Sequence, residues 1–157
     1  MKKFLALVFA ILVSSCSSND NNTTPVQDPV IGIWKPNRTV TVLNDGTENS
    51  KMATPCELNN RLTFGADGSF FMTNFPEGPD PDCEELVGNL YQSGSWERMS
   101  STVYVIELVC MMPDCPNEYE VPDEVTFPDG NTMRIKEIDE DANDEIAYFY
   151  YYFDRVE

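Results

Sequence analysis

The sequence predicts an all-β fold, in which about eight short strands form a single antiparallel up-and-down β-barrel. Runs of β-branched and aromatic residues alternate with polar residues at a period of two, which is the pattern of strands with one buried face. Clusters of Asn, Asp, Gly and Pro separate these runs at nearly regular spacing and predict the turns between strands. Beyond residue 30, only residues 84–90 have a pattern that would permit even one turn of helix.

The predicted strands follow one another in the order of a meander. In the first, within residues 34–43, Val40 and Val42 alternate with Thr39 and Thr41. An Asp-Gly turn joins the second strand to the third, which is a strong signal for a hairpin. The later strands are expected within residues 61–64, 69–75, 93–99, 102–110, 118–127, 132–138 and 145–156.

Two of these strands place constraints on the pairing. The strand at residues 118–127 contains Pro122, which lacks a backbone N–H and therefore belongs at an edge or a bulge. The last strand, residues 145–156, is long and aromatic, and an unpaired edge of this kind would promote aggregation. We therefore expect the last strand to pair with the first and so to close the barrel.

The chain begins with an export signal that ends at a cysteine. Lys2 and Lys3 precede an apolar run, residues 4–13, which is too short to span a bilayer as a helix but is typical of a secretory signal. The Val-Ser-Ser-Cys that ends at Cys16 resembles the lipobox of bacterial lipoproteins. The resemblance implies cleavage before Cys16 and acylation of its thiol, so that acyl chains anchor the protein to a membrane. The alternative is an ordinary secretory signal with an incidental cysteine.

These boundaries divide the chain into three parts. Residues 1–15 are the predicted lipoprotein signal peptide, and residues 31–157 are the barrel domain. Residues 16–30 are polar without apolar periodicity, which predicts a lipidated N-terminus and a flexible tether. Ser17 stands where retention in the inner membrane would require an aspartate, so the resemblance implies an outer-membrane lipoprotein. It leaves open whether the domain faces the periplasm or the cell surface.

The chain is strongly acidic, with a formal net charge of −17 and no histidine. Removal of the signal peptide takes away Lys2 and Lys3 but no acid, so the charge of the mature chain is −19. Nucleic-acid binding is implausible, because contact with phosphates needs a basic face. The acidity indicates either a role in solubility or the binding of a cationic protein partner.

Four cysteines follow the lipobox, and an even number in an exported chain indicates disulfide bonds. Four cysteines allow three connectivities. We favour Cys56–Cys83, which would join neighbouring segments, together with Cys110–Cys115, which would close a short loop. A zinc site is the alternative, but the chain has no histidine and no CxxC spacing. The sequence therefore predicts no metal and no cofactor.

Two short motifs and the residues between them resemble the lipocalin-like domains of bacterial lipoproteins. Gly32-Ile33-Trp34 begins the first strand, and Gly94-Ser95-Trp96 begins a middle strand, as in the G-x-W motif of that family. Residues 55–75 contain a cysteine, a strand, an Asp-Gly turn and another strand in the family's order, and Cys83 precedes the second motif. The resemblance covers residues 30–157 and implies a lipocalin-like barrel. The loop at residues 110–115 departs from the family pattern, as does the strand after Pro122.

The two motifs have physical roles in such a barrel. Their glycines allow the chain to bend where a Cβ would clash. Trp34 is expected to fill the closed end of the barrel and to donate its indole N–H to a backbone acceptor. Trp96 is expected to be an ordinary core residue.

The residue types argue against catalysis. A serine or cysteine nucleophile activated by imidazole is excluded because the chain has no histidine. No pair of acids is singled out for hydrolysis. Residues 139–145 begin like a calcium-binding loop, but Asp144 occupies the position that needs glycine, so a solvated turn is expected there. The sequence predicts that the protein is not an enzyme.

The aromatic last strand is the strongest candidate for a binding site. Alternation divides its rings between two faces, with Tyr148, Tyr150 and Tyr152 on one and Phe149, Tyr151 and Phe153 on the other. We predict that a small apolar or glycan ligand contacts this strand through Tyr148, Tyr150, Tyr151 and Tyr152. The alternative is that one face fills the core and the outward tyrosines form an interface.

Two functions remain open at this point. The first is a membrane-anchored binding module, which requires room inside the barrel. The second is a packed barrel that acts as a protein-interaction or inhibitor module for a cationic partner. A cavity lined by alternate positions of the last strand would favour the first, and a solid interior would favour the second.

Overall fold

The computed structural model describes residues 27–76, 83–86, 91–122, 124–139 and 145–156. Apart from a 3₁₀ turn at Glu57–Asn59, the regular structure in these ranges is β-strand, which confirms the predicted all-β fold. None of the described segments forms a helix long and apolar enough to cross a membrane. The strands are β1 (Gly32–Leu43), β2 (Glu48–Met52), β3 (Arg61–Phe64), β4 (Ser69–Thr73), β5 (Ser93–Arg98), β6 (Tyr104–Val109), β7 (Glu118–Glu120), β8 (Glu124–Asp129), β9 (Thr132–Ile138) and β10 (Ile146–Arg155).

All pairings are antiparallel, and the strands form one sheet in the order β7-β6-β5-β4-β3-β1-β10-β9-β8, with β2 paired to β1 beside this path. The predicted pairing of the last strand with the first is confirmed. Its register runs from Trp34 opposite Arg155 to Leu43 opposite Ile146. The two ends of the meander therefore join in the middle of the sheet.

The sheet has ten strands where about eight were expected, for two reasons. The segment Glu48–Met52 is exposed at every position and has no apolar alternation, so its sequence does not predict β2. It pairs with Arg38–Val42 because β3 covers only the first residues of the long strand β1. The strand expected at residues 118–127 forms as β7 and β8, which flank Pro122 and pair with β6 and β9 respectively.

The sheet curls so that its two ends contribute to one core. Tyr104 of β6 and Phe127 of β8 have ring centroids 6.4 Å apart, and the Val125 N–H donates to the Thr102 carbonyl at 2.7 Å. The result is a half-barrel filled on its concave side. The buried core comprises Val30, Trp34, Phe64, Phe70, Tyr104, Ile106, Leu108, Val125, Met133 and Ile135.

Trp34 occupies the position expected for it. It is fully buried, and its indole Nε1–H donates to the Val30 carbonyl at 2.7 Å. Arg155 of β10 lies over its ring, with the guanidinium carbon 4.1 Å from the centroid. The same guanidinium donates to the carbonyls of Ile31 and Pro29 at 2.7 and 2.6 Å. The end of the chain thus holds the start of the domain over the closed end of the core, a role that nothing in the sequence indicated for Arg155.

The glycines of the two G-x-W motifs meet different constraints. Gly32 has a φ of +144°, a conformation that residues with a Cβ rarely adopt. A Cβ on Gly94 would overlap the backbone carbonyl of Glu107 on the neighbouring strand. Trp96 packs against the core as expected, and its Nε1–H donates to the Gly65 carbonyl at 2.9 Å.

Both favoured disulfides are present. Cys56–Cys83 joins the 3₁₀ turn to the segment after β4, with a Cα–Cα distance of 5.1 Å. Cys110–Cys115 closes the loop between β6 and β7, with a Cα–Cα distance of 5.9 Å. The predicted lipidation residue Cys16 lies outside the described residues, as do residues 140–144 of the turn that resembles a calcium loop.

Candidate functional site

The rings of β10 divide between two faces of the sheet, as alternation predicts. Tyr151 and Phe153 lie opposite Ile135 and Met133 of β9 and pack against the core, so their face is the inner one. Tyr148, Tyr150 and Tyr152 therefore lie on the outer face. The four tyrosines predicted to bind a ligand are thus not brought together, since only Tyr151 faces inward.

An inner groove of about 400 Å³ lies beyond the core, in the range typical of sites for small ligands. It is bounded by β1, β2, β10 and the segment that contains the 3₁₀ turn. Phe149 stacks on Tyr151 beside it, with ring centroids 6.1 Å apart. The groove is lined by Pro36, Arg38, Thr39, Thr41, Lys51, Met52, Ala53, Glu57, Tyr151, Tyr152 and Phe153.

A β-bulge in β1 decides which side chains of this strand face the groove. The register of β1 against β10 shifts between Pro36 and Arg38, so Asn37 is the extra residue. Before the bulge, Trp34 and Pro36 share the face of Phe153. Beyond the bulge, Thr39 and Thr41 face inward with their short polar side chains. Arg38, Val40 and Val42 face outward.

The bulged residue is held in place from both sides. The Asn37 amide Nδ2 donates to both carboxylate oxygens of Asp154 at 2.9 Å, and its carbonyl accepts from the Ala53 N–H at 2.8 Å. Without the bulge, alternation would turn Arg38, Val40 and Val42 inward, so the groove would lose the hydroxyls of the two threonines. Pro36, which lacks a backbone N–H, precedes this position and is the sequence signal of a bulge here, because a proline within a strand is typical of a bulge or an edge.

The open end of the inner face carries carboxylates. Glu118 and Glu120 of β7 lie opposite Leu108 and Ile106, whose side chains are in the core, so they share the inner face. Glu120 is exposed as a whole residue, yet burial of its carboxyl, followed by the charges of Glu137 and Glu118, raises its pKa. The electrostatic field at this end therefore favours neutral or cationic groups over anions.

Two tyrosines share this acidic end. Burial raises the pKa of Tyr151, and the charge of Glu137 and a hydrogen bond to it raise the pKa further. A hydrogen bond to Glu118 is the main cause of the raised pKa of Tyr91, which packs against the core. The Tyr91 hydroxyl itself donates to the Pro116 carbonyl at 3.2 Å, so it is held beside the loop that Cys110–Cys115 closes.

The outer face of β10 carries a different arrangement, a ladder of tyrosines and cations. The Tyr148 and Tyr150 rings pack edge to face with centroids 5.1 Å apart, and those of Tyr150 and Tyr152 do so at 6.2 Å. Each ring carries one cation at 4.3–4.5 Å from its centroid. The three pairs are Lys136 with Tyr148, Arg134 with Tyr150, and Arg38 with Tyr152.

A small outer pocket of about 340 Å³ adjoins the Tyr152 end of the ladder. Its polar lining supplies both acceptors and donors of hydrogen bonds. Val40 and Val42 of β1 are buried beside the ladder but do not belong to the main core. The pocket is lined by Asn37, Arg38, Met52, Pro128, Asp129, Thr132, Tyr152 and Asp154.

No protein-family model matches the sequence. No curated protein matches it either. Among the described residues, no group of three or more Cys, Asp and Glu side chains is placed to hold a metal ion. The function proposed below therefore rests on the two faces of β10.

Proposed function

We propose that this protein is a lipoprotein of the bacterial outer membrane whose half-barrel is a non-catalytic binding module for a small apolar or glycan ligand. The observation that carries the proposal is the inner groove, whose lining includes Tyr151, Tyr152 and Phe153 of the last strand. The resemblance of the G-x-W motifs to lipocalin-like domains points in the same direction.

The groove suits a ligand with an apolar body and a few hydroxyls. Tyr151 and Phe153 supply ring surface, and Thr39 and Thr41 supply hydroxyls that both donate and accept hydrogen bonds. Lys51 is the lining cation whose position in the register places it on the same face as Thr39. Such a mixture of apolar walls with a few polar groups is the usual composition of small-molecule sites.

The anchoring part of the proposal rests on Cys16 and the sequence around it. Acylation at this thiol would hold the domain at the membrane through a polar linker. We expect the Cys16→Ser variant to lose incorporation of radiolabelled palmitate and to leave the membrane fraction. Incorporation at an unchanged level would contradict the lipobox assignment.

A protein-interaction module for a cationic partner is the second candidate. It is supported by the net charge of −17 and by the solid packing of the closed half of the barrel. Glu118, Glu120 and Glu137 at the open end would form the contact surface. This candidate predicts association that weakens steeply with salt, because steering by exposed charges is screened.

Native mass spectrometry of the mature protein, purified from its own envelope, tests the first candidate. A bound mass should be present, and Thr41→Phe, which fills the inner groove, should abolish it. Ser50→Phe is the matched control, because Ser50 lies opposite Val40 on the outer face of the paired strand β2. A bound mass that survives Thr41→Phe would place the ligand elsewhere, and an apo protein would favour the cationic partner.

A further inference from the structure

We propose that the outer face of β1, β10 and β9 is a second binding surface, and that its ligand is an acidic polysaccharide whose carboxylate or sulfate groups pair with Arg38, Arg134 and Lys136. This surface lies on the opposite side of the sheet from the inner groove. It shares Arg38, Met52 and Tyr152 with the lining of the inner groove at one end, whereas the pairs Arg134–Tyr150 and Lys136–Tyr148 belong to the outer face alone. The ladder of three tyrosine–cation pairs is the feature that carries the inference.

Positive charge is concentrated on this face of a chain that is otherwise acidic. The sequence has ten lysines and arginines, two of which are in the leader, and three of the remaining eight stand over this ladder. These three come from strands that are far apart in the chain, β1 and β9. The fold thus gathers scarce cations onto one face.

The three cations of the ladder are largely free to pair with a ligand. Among the described residues, Arg38 and Lys136 form no ion pair. Arg134 approaches Glu124 only at 4.0 Å and donates its Nε–H to the Thr126 hydroxyl. Contact with the tyrosine rings stabilises each cation without neutralising its charge.

Acidic side chains flank the cations on this face. Asp154 lies toward the end of the ladder, where both of its oxygens accept from Asn37. Glu124 lies 4.0 Å from Arg134 and opposite Lys136 in the register, and Glu48 lies opposite Val42 at the other edge. Arg38, by contrast, has Tyr152 and Met52 as its partners in the register.

The shape of the ladder favours a chain over a compact ligand. Tyr148 and Tyr152 are four residues apart on one strand, a distance of about 13 Å. An arginine guanidinium binds a carboxylate or sulfate through two parallel N–H donors, and the rings between offer apolar contact. The outer pocket beside Tyr152 adds Asp129, Thr132 and Asn37, which suit the hydroxyls of a sugar.

Other polyanions fit this surface less well. A nucleic acid presents closely spaced phosphates, which the overall charge of −17 opposes. An anionic lipid surface is broad, so contact would bring the surrounding acidic side chains close to the headgroups. A polysaccharide with sparse charges lies along one narrow ladder and avoids this repulsion.

Affinity electrophoresis of the full mature protein tests the proposal, with sparsely substituted carboxymethyl dextran and sparsely substituted dextran sulfate as the acidic polymers and neutral dextran as the control polymer. The wild type should be retarded by at least one of the acidic polymers and not by neutral dextran. The triple variant Arg38→Gln/Arg134→Gln/Lys136→Gln should weaken this binding by at least about tenfold. Raising the salt concentration should weaken it as well.

Single variants separate the outer ladder from general charge effects. Lys136→Gln should reduce binding, whereas Lys51→Gln, which removes the same charge from the inner face, should leave it unchanged. Thermal unfolding of both variants checks that they are folded. Equal losses from the two variants, retardation by neutral dextran, or no retardation by either acidic polymer would overturn the proposal. Binding to phosphatidylglycerol vesicles without binding to either polysaccharide would overturn it too.

Discussion

The two faces of β10 use the same kind of side chain for different purposes. On the inner face, Tyr151 and Phe153 pack against the core and then line the groove. On the outer face, Tyr150 and its neighbours pack edge to face and carry cations, with Val40 and Val42 buried beside them. Burial raises the pKa of both Tyr151 and Tyr150, but Arg134 opposes the rise for Tyr150. A ring's role in this strand is therefore decided by the face it occupies and by what the neighbouring strands place beside it.

The largest loss of stability is expected from a substitution where the inner face is most tightly packed. Trp34→Ala should lower the free energy of unfolding by about 3–5 kcal/mol, because it leaves a cavity in the core. It also removes the ring on which Arg155 lies and the hydrogen bond to Val30. Urea denaturation of the wild type and the variant measures the difference. A loss below about 1 kcal/mol would show that the closed end is not a packed core.

Adjacent residues of β10 offer the most direct test of the two faces. Phe153→Ala should cost about 2 kcal/mol, since this inner ring packs against the core while remaining partly exposed. Tyr152→Ala should cost about 1 kcal/mol, from one edge-to-face pair and one cation–π contact. Chemical denaturation measures both values. The reverse order would contradict the assignment of inner and outer faces.

The bulge that separates the faces can be weakened without changing either set of rings. Asn37→Ala removes two hydrogen bonds to Asp154 and should cost about 1–2 kcal/mol. Because the bulge keeps Val40 and Val42 outward, the variant should also lose affinity for a ligand of the inner groove. Asn49→Ala on β2 is a control that removes the same side chain from an exposed position. Equal behaviour of the two variants would show that Asn37 does not hold the register.

The smallest changes in stability are expected from two glutamates on opposite faces of the β6–β7 pair, and they depend on pH. Hydrogen bonds from Asn117, Tyr119 and Ser95 lower the pKa of Glu107 on the outer face, whereas burial and like charges raise that of Glu120 on the inner face. Glu120 therefore favours the folded state at low pH, and that contribution is lost as pH rises from about 4.5 through its raised pKa. Glu107 has the opposite pH dependence. It stabilises the folded state at neutral pH, and this stabilisation is lost as pH falls below about 4.5.

Melting temperatures measured between pH 3 and pH 8 would separate the two glutamates. Glu120→Gln should raise the melting temperature at pH 7 and should have less effect at pH 4. Glu107→Gln should lower it at pH 7, by an amount that shrinks as pH falls. A Glu120→Gln variant that is less stable than the wild type at pH 7 would show that this carboxylate is satisfied on the inner face.

Much of the fold could be predicted because it depends on local patterns. The Asp67-Gly68 turn, the alternation of residues 146–155 and the break near Pro122 are all properties of neighbouring residues. The pairing of the first and last strands followed from the need to cover an aromatic edge. Strand β2 could not be predicted, since Glu48–Met52 has neither the composition nor the alternation of a strand and forms only because β1 offers it an edge.

The candidate site was predictable only in part. Alternation correctly divided the rings of β10 into two sets, but it could not say which set faced inward, and the four chosen tyrosines combined both faces. The contacts between the cations and the ladder could not be predicted either, because Arg38 and Tyr152 are 114 residues apart in the chain. Such contacts depend on strand register, which a single sequence does not reveal.

The sequence by itself determined the strand periods, the turns, the four cysteines of the domain and the acidic composition, because each is a local or additive property. Only the tertiary structure decided where the inner groove lies and where the cations gather. The physical reason is the bulge at Asn37, which shifts β1 by one residue against β10. Since side chains alternate with a period of two, that single residue turns the threonines inward and leaves Val40, Val42 and Arg38 with the outer tyrosines.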